Sequence, residues 1–239
     1  MTANIQHSTA TSEHFTPPYI ADLARKVMGG IDLDPASCEL ANEIIQAKKF
    51  YSIEDNGFEQ VWSGNIFLNP PGGTNLGACF STNSVAGQWF NKLYAWMSVA
   101  KHLGQSQCQH PPIQAIFVAF NLSVFKSCPQ ALTFPFCVPS QRIRFWTTPE
   151  QLLLNEAKKK NPRFDELQRY IRKCRGNIDT SVLAASGQLL IPSRAPSHDN
   201  AIIYLPPGEG TYEAISEFIS LFRGIGNCYY NGQLYRETI

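Results

Sequence analysis

The sequence lacks the features that mark membrane-spanning, secreted and zinc-binding proteins. No apolar run reaches the roughly 20 residues that a transmembrane helix needs. The N-terminal stretch MTANIQHSTATSEHF has no apolar segment of the kind found in signal peptides. None of the seven cysteines forms a C-x-x-C pair, and His102, His110 and His198 suggest no metal site. We therefore expect an intracellular protein with reduced, mostly buried thiols, without a metal and without a membrane partner.

A strong net charge is also missing, because 20 Lys and Arg oppose 19 Asp and Glu, which leaves a net charge of +1. Any contact with nucleic acid therefore requires a local basic patch. Hydrophobic residues make up 44% and charged residues 16% of the 239 residues, which is enough for a folded core. This length fits one α/β domain with insertions.

Strands and helices alternate along the chain. Buried strands are predicted for NIFLN, IQAIFVAF and AIIYLP, and amphipathic helices for PPYIADLARKVM, QWFNKLYAWMSVAKHL and TYEAISEFISLF. This alternation predicts an α/β fold with a twisted, mostly parallel sheet, to which residues 133–206 add an antiparallel edge. We expect residues 1–14 to form a flexible tail and residues 15–239 to form a single domain.

A basic segment interrupts this pattern at about residues 151–198. Between residues 151 and 176, eight basic side chains accompany only three acidic ones, Glu156, Asp165 and Glu166. The basic residues are Lys158, Lys159, Lys160, Arg163, Arg169, Arg172, Lys173 and Arg175. We interpret the segment as an inserted lobe that contacts phosphates, with Lys158, Lys159 and Lys160 as the first candidates. A solvated helix face is the alternative.

The segment NIFLNPPGG, residues 65–73, ends a hydrophobic strand in an amide and two prolines. Proline fixes φ, lacks an N–H group and pushes the preceding Asn69 toward an extended conformation. The turn is therefore stiff. The side-chain oxygen of Asn69 and the carbonyl of Pro70 can accept both hydrogens of an aromatic amino group, which favours a pyramidal nitrogen with an outward lone pair. A proline-rich turn without a function is the alternative.

Acidic side chains end another predicted strand, IDLDPAS at residues 31–37. Asp32 and Asp34 would lie at the carboxyl edge of the sheet, where α/β proteins bind ligands. Their carboxylates can accept hydrogen bonds from an amine or a ribose, or attract a sulfonium cation. Capping of the next helix by Asp34 or Ser37 is the alternative.

Taken together, these motifs resemble a known family. Asn69 follows Asp34 by 35 residues, in the motif order of amino-group methyltransferases that use S-adenosylmethionine. With FTPP upstream and PSQRIRFW and HDNAIIYLP downstream, the chain resembles the phage-type DNA N-6-adenine methyltransferase (Dam) family from about Phe15 to Phe222. The resemblance implies a Rossmann-like S-adenosylmethionine-dependent methyltransferase fold and methyl transfer to adenine N6 in DNA. It also implies the cytoplasm of a bacterial cell or a phage-infected host.

The resemblance assigns roles to individual residues. It puts Thr16 and Pro17 at the methionine end of the cofactor. The cofactor-binding strand end comprises Asp32, Asp34, Pro35 and Ala36, and the catalytic tetrapeptide that holds the amine comprises Asn69, Pro70, Pro71 and Gly72.

Two features depart from the family pattern. The fourth catalytic position is commonly an aromatic residue that stacks on the target base, but here it is Gly72. We expect Trp89, Phe90 or Phe80 to stack instead. The interval between the motifs is short for the usual two strands, so we assign the ribose-binding acid to Asp55, with Glu54 beside it.

A base inside a duplex must be extruded to reach such a site. Arg142 and Arg144 lie two residues apart on a predicted strand, so they share one face and can contact a phosphate or a guanine edge. An edge strand protected by charge is the alternative. Residues 74–87 are either a lid hinged at Gly77 and Gly87 or a passive loop.

Other functions fit the same motifs. The chemistry can also act on cytosine N4 or on the amide of a protein glutamine. A protein of another class, which binds nucleic acid on a degenerate methyltransferase scaffold, is suggested by Gly72 and by the short interval between the motifs.

Overall fold

The computed structural model describes residues 14–72, 84–103, 112–177, 181–193, 198–208 and 211–235. The helices in these ranges are α1 (Pro18–Met28), α2 (Glu39–Ile45), α3 (Val85–Leu103), α4 (Val124–Ser127), α5 (Pro149–Ala157), α6 (Phe164–Arg175) and α7 (Thr211–Phe222), with a short 3-10 helix at Pro129–Thr133. The strands are β1 (Leu33–Asp34), β2 (Lys49–Phe50), β3 (Gly64–Leu68), β4 (Pro112–Ala119), β5 (Phe136–Pro139), β6 (Trp146–Thr147), β7 (Val182–Leu183), β8 (Leu189–Pro192), β9 (Ala201–Leu205), β10 (Gly226–Tyr230) and β11 (Gln233–Tyr235).

A mixed eight-stranded sheet forms the centre of the molecule, with the strand order β2–β1–β3–β4–β9–β5–β10–β11. The first four of these strands are parallel neighbours, and antiparallel pairing begins where β9 inserts between β4 and β5. All strands except β9 and β10 run in one direction. The predicted α/β class with a mostly parallel sheet is confirmed. The antiparallel part extends beyond the predicted residues 133–206, because β10 and β11 also belong to it.

The sheet is buried on both faces, which explains the continuous apolar runs of its central strands. On one face, Phe67 of β3 packs in a cluster with residues of α1, α2 and α7. On the other face, Ile66 and Leu68 pack with Trp89 and Phe90 of α3. Successive side chains of a strand point to opposite faces, so the short β3 contributes to both clusters.

The first helix is set by its flanking residues. α1 follows the extended Pro17 and begins with Pro18, where the missing N–H costs no intrahelical hydrogen bond. It ends at Gly29, whose φ of 70° lies in the left-handed region that terminates helices. α1 therefore starts at the last residue of the FTPP segment.

A second, three-stranded sheet has the order β6–β8–β7. β7 and β8 lie within the predicted basic insert at about residues 151–198, whereas β6 precedes it. Helix α6 packs on it by burying Leu167, Ile171 and Cys174 against Ile191 of β8. We call α5, α6 and this sheet the basic lobe. The predicted insert thus has its own small core.

None of the described helices is both long enough and apolar enough to cross a lipid bilayer.

Candidate functional site

The two polar motifs meet at the carboxyl edge of the parallel strands. β1 pairs with β2 on one side and with β3 on the other, where Leu33 is opposite Ile66. The strand order therefore reverses between β1 and β3, and the crevice at such a point is where open α/β sheets bind ligands. The same register, continued past the strand ends, sets Ala36 level with Asn69. DLDPAS and NPPGG are thus neighbours in the fold.

Asn69 is held by the backbone of the N-terminal segment. Its Nδ2 donates a hydrogen bond of 2.9 Å to the carbonyl oxygen of His14. Because a carbonyl can only accept, this contact fixes which way the amide is turned. Within the described part of the chain, Oδ1 of Asn69 accepts no hydrogen bond. The half-buried side chain therefore presents an acceptor oxygen at a stiff turn.

Solvent exposure increases along the three residues that follow Asn69. Pro70 is buried, Pro71 is half-buried and Gly72 is exposed. A Cβ added at Gly72 would meet nothing within 4 Å. Among the described residues, the surroundings of the Gly72 Cα are therefore open.

The FTPP segment lies beside this turn. Phe15 forms two backbone hydrogen bonds with Trp146 of β6, of 2.8 and 2.7 Å. Thr16 is 3% exposed, and Pro17 precedes α1. The structure therefore brings Thr16 and Pro17 to the edge that carries Asn69.

Asp34 is a buried carboxyl with few hydrogen bonds. It is 3% exposed, and its Oδ1 accepts the Ala36 amide at 3.2 Å. Burial raises the pKa of Asp34 to about 7, against the opposing effect of that amide. Nearby, the buried hydroxyl of Ser37 interacts with this carboxyl and also opposes the rise in its pKa. A carboxyl and a hydroxyl in this state suit a ligand that brings donor groups or a positive charge.

Asp32, in contrast, has a structural role. Its carboxylate accepts the Asn65 amide at 2.8 Å and the Lys48 ammonium at 2.7 Å. Partial burial opposes ionisation, but these two donors lower the pKa of Asp32. Asn65 lies near the amino end of β3, so this carboxylate is turned away from Asn69. The assignment of Asp32 to the cofactor is corrected: it fastens the start of β1 to β3.

An open cavity of about 560 Å³ lies at the carboxyl end of β2. Its described lining residues are Cys38, Glu39, Leu40, Phe50, Ser52, Glu54, Asp55 and Gln188. The carboxylate of Asp55 accepts both the amide and the hydroxyl of Ser52 at 2.8 Å, and these bonds lower its pKa. The predicted acids Asp55 and Glu54 therefore line one cavity as exposed, ionised acceptors.

The loop that carries these acids is pressed against DLDPAS through Gly57. A Cβ added at Gly57 would lie 2.0 Å from the carbonyl oxygen of Pro35, so only glycine fits. The indole nitrogen of Trp62 donates a 2.8 Å hydrogen bond to the Gly57 carbonyl and anchors the loop from the core.

The candidates for stacking on a base lie elsewhere than predicted. Trp89 is 3% exposed and stacks on Trp62 with ring centres 5.6 Å apart, and Phe90 is fully buried. The assignment of Trp89 to nucleic acid is corrected, since a core side chain cannot contact a base. Phe80 and Gly77 lie outside the described residues, and Gly87 is buried inside α3, where it does not act as a hinge.

An aromatic group that the sequence analysis missed packs on His14, the residue whose carbonyl anchors Asn69. The ring of Phe120, directly after β4, is 5.4 Å from His14, 5.6 Å from Phe145 and 5.4 Å from His198. Although part of the His14 side chain is exposed, desolvation of its ring beside Phe120 and Phe145 lowers its pKa, which favours the neutral form. Phe120 is half-buried and provides an aromatic surface at the same carboxyl edge. Its position as the last residue of the predicted strand IQAIFVAF was the available signal.

The candidate phosphate contacts differ in how available they are. Arg142 and Arg144 lie in an extended connection between the two sheets rather than on a strand, yet both are exposed. Arg142 forms a 2.9 Å ion pair with Asp199.

The lysine turn that follows α5 is shaped by a buried acid. Glu156 is 4% exposed and binds the Lys159 ammonium at 2.7 Å and the Arg163 amide at 2.8 Å. Lys158 and Lys160 are exposed. Lys158 and Lys160 are therefore the better candidates for a phosphate, and Lys159 is already paired.

A metal cluster is not found in the described ranges, where no group of three His, Cys, Asp or Glu side chains is placed to bind an ion.

Comparisons of the chain with family models, with curated proteins and with solved structures found no match.

Proposed function

We propose that this chain is an S-adenosylmethionine-dependent DNA methyltransferase that acts on the exocyclic N6 amine of adenine. One observation carries the proposal. The Asn69 amide is anchored through its nitrogen and presents its oxygen at the point where the strand order reverses. An acceptor fixed in this way recognises an amino group, and an amino group of a nucleobase is the acceptor that the motif resemblance implies.

Residues of the NPPGG turn activate the amine. The Asn69 oxygen and the Pro70 carbonyl accept its two hydrogens, which reduces delocalisation of the lone pair into the base. The stiff turn holds this geometry before the substrate arrives, so little reorganisation is needed. When bound, S-adenosylmethionine supplies an electrophilic methyl group on a cationic sulfur. With the cofactor bound, the lone pair directed outward by Asn69 and Pro70 would form the new N–C bond while the C–S electron pair stays on sulfur, and the amine proton would pass to water.

The donors and acceptors of the site fit this cofactor. A sulfonium beside Asp34 would favour the ionised form of this carboxyl, and the buried hydroxyl of Ser37 lies next to it. Thr16 and Pro17 lie at the edge next to Asn69, where the methionine end belongs by the resemblance. Asp55 and Glu54 present carboxylates to the ribose hydroxyls in the adjoining cavity.

The DNA side of the proposal uses the aromatic group and the basic lobe. An extruded base that reaches Asn69 lies beside Phe120, which takes the stacking role left open by Gly72. Lys158, Lys160 and Arg144 are exposed cations for the phosphates.

Nucleoside mass spectrometry tests this function. DNA is incubated with S-adenosylmethionine and with either the wild type or Asn69→Ala, then digested to nucleosides. We expect N6-methyladenine from the wild type alone. N4-methylcytosine would preserve the mechanism and refute the adenine assignment. If neither base is methylated on duplex or single-stranded DNA of mixed sequence, the proposal is wrong and the degenerate scaffold becomes the better explanation.

A further inference from the structure

We propose that the turn between β7 and β8 forms a wall of the Asp55 cavity and that Gln188 recognises the base of the bound nucleoside. This inference deepens the proposed function and rests on it. It assigns to the basic lobe a part in cofactor binding that is separate from its part in DNA binding.

The turn itself is well defined. The Gly187 amide donates to the Ala184 carbonyl, and the Ala184 amide donates to the Gln188 carbonyl, each at 2.8 Å. Gly187 has a φ of +79°, which residues other than glycine rarely adopt. Closed by two hydrogen bonds, the turn gives Gln188 a fixed backbone position.

A tether places this turn over the cavity. The Ala185 amide donates a 2.6 Å hydrogen bond to the carboxylate of Glu43 in α2. The first turn of α2 supplies Glu39 and Leu40 to the cavity, and Cys38 precedes it. One helix therefore both lines the cavity and holds the turn that closes it, so Gln188 belongs to the cavity wall.

The lining residues divide by chemistry in a way that matches a nucleoside. Ser52, Glu54 and Asp55 cluster in one segment and offer oxygen acceptors for the hydroxyls of a ribose. Leu40 and Phe50 offer apolar surface for the faces of a ring.

Gln188 is the only one of the eight described lining residues whose side chain carries N–H donors. The edge of adenine combines ring-nitrogen acceptors with an amine donor, and a glutamine amide pairs with both. No other residue of the described lining can make this pair. The ribose is therefore expected on the Asp55 side and the base on the Gln188 side.

Calorimetry with two ligands tests the assignment on the full-length chain. The ligands are S-adenosylhomocysteine and its analogue whose purine lacks the 6-amino group. The wild type should prefer S-adenosylhomocysteine about tenfold, as expected for one to two hydrogen bonds. Gln188→Ala should lose about tenfold in affinity for S-adenosylhomocysteine and should no longer distinguish the two ligands. Gln168→Ala, an exposed glutamine on α6, should match the wild type.

The outcomes separate the two proposals. If the wild type binds S-adenosylhomocysteine and Gln188→Ala keeps both its affinity and its preference, Gln188 does not read the base and this inference alone is refuted. If the wild type binds neither ligand, the proposed function fails and the inference fails with it. A Gln188→Ala variant that binds weakly but still distinguishes the ligands would also refute base recognition, because the preference would then come from other residues.

Discussion

The side-chain nitrogen of Asn69 donates its hydrogen bond to a residue 55 positions earlier, the carbonyl oxygen of His14 at 2.9 Å. This contact links the turn at Asn69–Gly72 to the segment that enters α1. A replacement that keeps the size of Asn69 but removes the donor therefore tests orientation rather than packing.

The variant Asn69→Asp puts a carboxylate oxygen where the anchoring N–H group was. The carboxylate and the His14 carbonyl oxygen repel each other, so the side chain turns away from the orientation that Asn69 has. We expect the rate of methyl transfer to fall by about 100-fold or more. Affinity for S-adenosylhomocysteine, measured by calorimetry, should change less than about threefold. Equal losses of rate and affinity would instead make Asn69 a structural residue.

The aromatic surface of Phe120 is expected to hold the target base. Phe120→Leu keeps an apolar side chain but removes the ring, and base–aromatic stacking contributes about 1–3 kcal/mol. We expect kcat/KM for DNA to fall about tenfold or more, with unchanged affinity for S-adenosylhomocysteine. Tyr212→Leu, at an 80% exposed position on α7, is the matched control. Identical kcat/KM values for the two variants would remove Phe120 from the site.

The raised pKa of Asp34 predicts a pH-dependent stability. The folded protein keeps a proton on this carboxyl up to about pH 7, whereas the unfolded chain releases it near pH 4. The free energy of unfolding should therefore fall as pH rises from about 4 to 7, by up to about 4 kcal/mol for this group. Asp34→Asn removes the effect, so urea unfolding should show the variant gaining stability relative to wild type between pH 5 and pH 8. A constant difference between the two proteins would contradict the pKa.

The fit of Gly57 against Pro35 predicts the effect of a single methyl group. A Cβ at Gly57 would lie 2.0 Å from the Pro35 carbonyl oxygen, so Gly57→Ala should destabilise the fold by about 3 kcal/mol. Gly176→Ala is the control, because its Cβ meets nothing within 4 Å and its φ is −92°. That change should be neutral or stabilise by up to about 1 kcal/mol. Thermal unfolding of both variants tests this prediction. Similar melting temperatures for the two would refute the close packing of Gly57 against Pro35.

The exposed lysines after α5 predict a salt dependence. Each cation that contacts a phosphate of duplex DNA contributes about 0.9 to the slope of log affinity against log salt. The double variant Lys158→Gln/Lys160→Gln should thus lower the magnitude of the slope by about 1.8 in fluorescence titrations. Lys26→Gln, in the last turn of α1, should leave it unchanged. An unaltered slope in the double variant would show that Lys158 and Lys160 do not contact phosphates and are only solvated surface residues.

The parts of the site that were predictable from sequence are those that depend on local rules. The carboxyl ends of parallel strands meet at one edge of a sheet, and this rule alone predicts that Asp34 lies near Asn69. The different surroundings of Asp32 and Asp34 were not predictable, because the two acids are only two positions apart and only the pairing with β3 puts Asp32 at its amino end. The bond between His14 and Asn69 was equally hidden, since no local pattern indicates a contact over 55 residues.

Trp89 shows how one pattern can be overruled by another. Its spacing with Leu93 indicates the apolar face of a helix, and the structure buries both residues. The absence of an aromatic residue at Gly72 had instead suggested a role on the surface. Periodicity was the better guide, because it reflects the burial that forms the core.

The bridge between Phe15 and Trp146 ties the basic lobe to the start of the described chain through two hydrogen bonds. Phe15 is next to His14, which anchors Asn69. A graft that transfers the lobe to another protein must therefore carry residues 14–17 with it, because β6 would otherwise pair only with β8 and leave its other edge open. The same linkage limits where an affinity tag can be fused. A fusion that replaces His14 and Phe15 would disturb both the turn at Asn69–Gly72 and the basic lobe.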